Sequence, residues 1–203
     1  MQSIAHKVLT RFHLKKGSKT FSTEEFLDLG SRAAVDQALS RLARKGVIRR
    51  VSPGIFDLPS ISPRLGKLSP DLEAVARAIA RKNGVHLQPA GELAANALGI
   101  STQVPAARVY FIEGFPKKYR IAGQRIDFRH GSPRNMAGAG RVSGVVFQAL
   151  RHLGRTRVSD DVLRKIRGLL STKDKRIVRA DAKNTFGWIR ALVPKITDDS
   201  PKN

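Results

Sequence analysis

Residues 31–57, SRAAVDQALSRLARKGVIRRVSPGIFD, leave the backbone few choices. Ser31 suits a helix N-cap, because its hydroxyl can accept from a backbone N–H of the first turn. From there Val35, Ala38, Leu39 and Leu42 recur at helical spacing and fall on one side. Gly46 stops the helix, with Arg44 and Lys45 in the last turn, where cations offset the carbonyl end of the dipole. The period then changes. VIRRV and IFDLP flank Ser52-Pro53-Gly54, the spacing of a β-hairpin turning at Pro53-Gly54. A helix with one apolar side therefore runs directly into a two-stranded hairpin.

Upstream, Ile4, Val8, Leu9 and Phe12 form another helical stripe that ends near Lys15, Lys16 and Gly17. Residues 1–19 carry five Lys/Arg and no acid, a composition that transit peptides share. The apolar stripe makes this segment the first helix of the fold instead. Ser22, with Glu25 three residues on, spells a capping box for a short helix carrying Phe26, Leu27 and Leu29, which Gly30 breaks. Helix, short helix, longer helix and hairpin, in that order, are the layout of a winged helix-turn-helix domain. In such a domain the Val35/Leu39/Leu42 side packs on the first two helices. The opposite side holds Ala33, Asp36, Gln37, Ser40 and Arg44, with Arg41 beside them, and stays free to reach base edges. Arg49 and Arg50, at the root of the wing, can reach a phosphate or the minor groove.

Residues 60–69, rich in Ser, Pro and Gly, read as a linker or as the entry to a second domain, so the first domain spans 1–62 and a second spans 63–203. The second opens on a helix with Ser69 as cap, Pro70 at its first position and Leu72, Val75, Ala76 and Ile79 on its buried stripe, ending at Asn83-Gly84. A short helix from Glu92 to Leu98 follows. ARVYFIEG and YRIAGQRIDFRH alternate as strands, the latter turning at Ala122-Gly123. Helical spacing returns with Val142, Val146, Ala149, Leu150 and Leu153, then with a helix capped by Ser159, then over Trp188–Val193. Residues 198–203 read as a frayed end. The expected fold class is α+β: an N-terminal winged helix-turn-helix, then a mixed α/β domain with a small antiparallel sheet and a helical end.

The net charge of +22 limits the partners. Residues 1–69 hold 13 basic and 5 acidic side chains and residues 70–203 hold 25 and 11, so +8 and +14 are spread over both parts. A chain so charged repels itself unless a polyanion is a normal partner. Cysteine is absent, which removes disulfides and thiolate sites and fits a cytoplasmic location. No apolar run is long enough to span a bilayer, so no membrane is expected as partner. There is no phosphate-binding glycine motif of the nucleotide-binding kinds, no HExxH and no GxSxG. Asp127 and His130 stand close enough in sequence for an acid/base pair, though a strand-end salt bridge is the commoner outcome of such spacing. No enzyme, cofactor or metal site is expected.

Two further segments attract nucleic acid on paper. GFPKKYR interleaves Phe115, Lys117, Lys118, Tyr119 and Arg120, a combination that stacks on and neutralises single strands, or else a basic edge that resists aggregation. HGSPRNMAGAGR offers backbone N–H groups among Arg129, Arg134 and Arg141, or else a loop before a helix. These six basic residues form a second candidate surface.

FSTEEFLDLGSRAAVDQALSRLARKGVIRRVSPGIFDLP resembles the N-terminal winged helix-turn-helix of AbiEi-type antitoxins, which belong to type IV, abortive-infection toxin–antitoxin systems used in phage defence. The likeness continues through Gly91–Phe111 and through RIDFRHGSPRNMAGAGRVSGVVFQALRHLG, and so covers about residues 1–193. It implies a repressor that binds inverted repeats in its own promoter. It also implies a C-terminal domain that counteracts a cognate nucleotidyltransferase-like toxin and need not form a stable complex with it. Carried over, the DNA-reading positions are Ser31, Arg32, Gln37, Ser40, Arg41 and Arg44, with Arg49 and Arg50 in the wing. The wing tip, Ser52-Pro53-Gly54, departs from the expected pattern by lacking a basic residue. Two other readings stay open: a ligand-responsive or dimerising winged-helix regulator without antitoxin activity, and an RNA-binding protein.

Overall fold

The computed structural model describes residues 2–15, 19–103 and 105–198. The expected helix stop at Lys16 and Gly17, and the expected frayed end at 199–203, lie outside the described residues. The fold is α+β. Its described residues divide into two compact units, one within 2–85 and 119–126, the other within 86–118 and 127–198.

The first unit begins with helix α1, Ile4–Leu14, whose Ser3 hydroxyl accepts from His6 N. Strand β1 (Thr20–Ser22) leads into a 3-10 helix, Thr23–Leu29. Glu25 Oε2 accepts from Ser22 N at 2.7 Å, the reciprocal half of the expected capping box. Helix α2, Arg32–Arg44, follows, then β2 (Arg49–Ser52) and β3 (Ile55–Asp57). β3 is central: it pairs antiparallel with β1 (Phe21 opposite Phe56) and with β2 (Arg50 opposite Phe56), with an irregularity between Arg50 and Ser52. Val8, Phe12, Phe21, Phe26, Val35, Leu39, Leu42, Ile48 and Phe56 close over one another as the core. Phe12 meets Phe21 edge-on with centroids 4.8 Å apart, a favoured aromatic geometry.

Two sequence expectations change here. Residues 60–69 are not a plain linker: β4 (Ile61–Ser62) and β5 (Gly66–Lys67) pair as a second small hairpin. The helix α3 (Leu72–Lys82) is capped by Asp71, whose Oδ1 accepts from Glu73 N at 2.9 Å and Ala74 N at 3.3 Å, while Ser69 and Pro70 precede the cap. A carboxylate one residue from a helix start outcompetes a serine two residues further away.

The boundary expected after residue 62 also moves, because α3 packs on β1 within the first unit. Arg81 donates to Thr20 O at 3.2 Å and to Glu25 at 3.2 and 3.3 Å. Lys15 Nζ donates to the same Thr20 carbonyl at 2.8 Å. Burial, and secondly the neighbouring Arg81, push the Lys15 ammonium below the ordinary lysine range.

In the second unit, β6 (Leu87–Pro89) pairs antiparallel with β7 (Ala107–Ile112). β8 (Lys117–Ile121) and β9 (Gln124–His130), whose residues 119–126 count with the first unit, follow in the chain, and the strand order is β6-β7-β9-β8. The β8–β9 turn lies at Ala122 and Gly123, as expected, with φ of 47° and 79°. Helix α4 (Gly91–Ala97) packs on α5 (Val142–Leu153) through Ala94, Ala95 and Ala149, side chains small enough for close approach. Helices α6 (Asp160–Leu169), α7 (Thr172–Asp181) and α8 (Gly187–Thr197) complete a helical core around Val146, Phe147, Leu150, Leu163, Ile166 and Ile189. Ser159 caps α6 as expected. The sequence reading lacked α7, whose mean polarity hides its short apolar stripe.

Candidate nucleic-acid interface

α2 is amphipathic because its sequence places every large aliphatic side chain within one arc. Val35, Ala38, Leu39 and Leu42 are buried. Ser31, Arg32, Gln37, Ser40, Arg41 and Arg44 are all exposed. At about 100° per residue, Ala33, Gln37, Ser40 and Arg44 lie nearest the centre of the free side, with Arg32 and Arg41 at its two margins. Ser31 holds the N-terminus through Ala34 N at 3.4 Å, so its hydroxyl is a cap first.

The two margins differ electrostatically. Arg32 donates to Asp36 at 3.1 Å and lies 3.5 Å from Glu24. Asp36 would otherwise repel a phosphate, and this pairing neutralises it. Among the described residues none pairs with Arg41, Arg44 or Arg50, whose charges face solvent. A phosphate or a guanine edge can be met there without first breaking an ion pair, whereas Arg32 has to trade one contact for another.

The wing does not follow the sequence reading in full. Arg50 is exposed, as expected. Arg49 is not a free cation. Its Nε and Nη2 grip both oxygens of the buried Asp57 at 3.0 and 2.6 Å, and its Nη1 donates to Leu68 O at 2.9 Å. Arg49 on the edge strand sits opposite the buried Asp57 of the central strand in the β2–β3 register, and such cross-strand opposite charges pair. Its role is to hold the hairpin together.

The wing tip gains what its own sequence lacks. Lys82, the last residue of α3, places Nζ 3.1 Å from Pro53 O. Gly54 has φ of +70°, and a Cβ there would run into that ammonium. A residue 28 positions downstream thus supplies the cation at the Pro53-Gly54 turn. Only packing of α3 on the first unit reveals it; the helix period of 72–82 was the available signal, but not its address.

The six residues of the second basic set sit in different local settings. On β8, alternation puts Lys118 and Arg120 on one side and Lys117 on the side of the buried Ile121. Arg129 is exposed on β9. Arg134 lies over the Phe186 ring at 6.0 Å. Arg141 pairs with the buried Asp181 at 3.0 Å, and Ser143 Oγ donates to the same carboxylate at 2.6 Å, which ties the loop to α7. Two glycines of that loop serve packing: a Cβ on Gly138 would strike Ser143 and Gly144 N, and one on Gly131 would strike Met136. Asp127 is buried and His130 exposed, and their three-residue offset on β9 points them to opposite faces. Phe115, by contrast, is 95% exposed.

Residues 4–178 match a family described as a family of unknown function, DUF6088. No curated protein matches the chain. Among solved structures, the RV2827C protein from Mycobacterium tuberculosis is similar at 15% identity and a TM-score of 0.43, over 95% of this chain and 81% of that one.

Proposed function

From a chain that belongs to the DUF6088 family, whose description assigns no function, we propose a cytoplasmic, duplex-DNA-binding transcriptional autorepressor that also acts as an antitoxin. The observation that carries the DNA reading is α2: an aliphatic side fully buried, and an opposite side on which Gln37, Arg41 and Arg44 stand exposed. Arginine and glutamine are the side chains that read guanine and adenine edges in the major groove. Arg50 and Lys82 add phosphate contacts on the wing side. The +22 net charge supplies the sequence-independent attraction that such binding requires. Inverted repeats in the chain's own promoter are the proposed operator.

The antitoxin half rests on the resemblance to AbiEi-type antitoxins over both parts of the chain. The opposed toxin is nucleotidyltransferase-like and need not be held in a stable complex. The chain itself is not proposed to be an enzyme. No described helix is long and apolar enough to cross a membrane.

One pair of assays tests both halves. A reporter behind the chain's own upstream DNA is repressed by the wild type and released by Gln37→Ala/Arg41→Ala. The same variant still protects cells from the co-expressed toxin. Unchanged repression by the variant refutes the helix assignment, and a toxin that stays lethal beside the wild type refutes the antitoxin half, leaving a regulator alone. Phe115, almost fully exposed beside Lys117 and Lys118, favours a second reading as an RNA binder. A filter-binding comparison of RNA with duplex DNA at one salt concentration separates the two.

A further inference from the structure

The β4–β5 hairpin carries a contradiction that a simple linker would not. Ile61 is 74% exposed and Leu65 78% exposed, so two large aliphatic side chains face water on a segment of nine residues, 60–68. Between Asp57 and Asp71 there is no acid, while Arg64 and Lys67 are both exposed. The hairpin is nevertheless built with care. Its base is closed by Leu68 N donating to Ser60 O at 2.9 Å. Its tip is set by Ser62 Oγ, which accepts from Arg64 N and Leu65 N, each at 3.3 Å.

It is also fastened to the reading head. Lys67 Nζ donates to Gly46 O, just past the end of α2, at 3.2 Å. Arg49, locked on Asp57, reaches out to Leu68 O. The Arg49 that sequence placed on DNA is thus the strut between wing and hairpin.

We propose that this hairpin is a second DNA-contacting arm, whose tip Pro63-Arg64-Leu65 enters the minor groove flanking the major-groove segment read by α2. The inference rests on the DNA-binding reading and adds to it a site that the recognition helix does not include. Charge complementarity selects the partner: an acid-free, basic hairpin suits a polyanion, and the negative potential of a narrow minor groove attracts an arginine. The apolar neighbour then has a use, because minor-groove binders insert leucine or proline against a base step and bend the duplex. Arg64 senses groove width, and Leu65 wedges.

The test uses the full chain and a duplex that the wild type selects from a random library. Arg64→Ala/Leu65→Ser alters only the exposed tip. The variant is expected to bind that duplex about tenfold more weakly. It loses hydroxyl-radical protection in the flanking minor groove and bends the duplex less in a permutation assay, while keeping the base preferences of the major-groove positions. A minor-groove ligand such as netropsin, added to the unaltered protein, is expected to reproduce the tenfold loss. That arm does not depend on any variant folding. Wild-type affinity and footprint in the variant, or indifference to netropsin, overturn the arm and leave the α2 reading intact. A variant whose weaker binding comes with loss of a dimer on gel filtration, and with an unchanged flank footprint per bound complex, also overturns it, because the tip then serves a second copy of the chain. A wild type that enriches no duplex overturns the arm together with the reading beneath it.

Discussion

Arg49 shows how much a neighbour decides at the residue scale. Its sequence position beside Arg50 makes the two look equivalent, yet one is exposed and the other is spent on Asp57 and Leu68 O. Arg49→Ala leaves the buried Asp57 carboxylate without its partner, and is expected to cost about 2–3 kcal/mol, below a fully buried pair because Arg49 is partly exposed. Thermal unfolding reads this. An unchanged midpoint would return Arg49 to the free cations. Lys82→Gln should behave in the opposite way. Stability stays near wild type, while the slope of log affinity against log salt falls by about 0.9, one phosphate's share. A slope left in place would make Lys82 only a clasp on the turn. A pH effect belongs at this scale too. The bidentate Arg11 guanidinium, at 2.7 and 2.6 Å, holds the Asp28 carboxyl below the usual aspartate range. A depressed carboxylate lends stability above its unfolded value near 3.8, and that stability is lost as pH falls through the folded value. Carboxyl NMR titration should place Asp28 low in the wild type and return it to the ordinary range in Arg11→Ala.

At the scale of elements, the parts with strong period and clear stops were readable in advance. α2 was marked by Ser31, by four aliphatic residues in one arc and by Gly46. The β8–β9 turn was marked by Ala122-Gly123, and α5 by its long apolar stripe. What escaped is what depends on contacts distant in sequence. Residues 60–69 look like a linker because Ser, Pro and Gly are also hairpin residues, and nothing local tells that Lys67 will meet Gly46 O. α3 looks like the start of a second domain until Arg81 finds Glu25, 56 residues away. The candidate site was legible on α2, where one helix suffices. It was half legible on the wing, where Asp57 and Lys82 redistribute the charge. α5 offers a prediction in which two elementary effects oppose each other. Gly144→Ala would ordinarily favour a helix by about 1 kcal/mol. Here the added Cβ would meet Gln88 Oε1 and the Gly138 backbone, so overpacking wins and a net loss of about 1–3 kcal/mol is expected. Chemical denaturation measures it, and a stabilised variant would mean that the Gly138 loop yields freely.

For the whole molecule, charge sets the conditions and α2 sets the selectivity. A net charge of +22 brings any nucleic acid near and makes binding steeply dependent on salt, so an affinity alone says little about what is read. Selectivity has to come from side chains that face bases, and the account assigns that work to Gln37 and Arg41 with Arg44 beside them. The most direct measurement is therefore the affinity of the wild type and of Gln37→Ala/Arg41→Ala for the selected duplex and for each of its single-base variants, at one fixed salt concentration. Each substitution is expected to cost about 1–3 kcal/mol on the selected duplex and to erase discrimination at particular base pairs, with binding to unrelated DNA unchanged. A doubly substituted protein that keeps both the affinity and the base preferences of the wild type would contradict it.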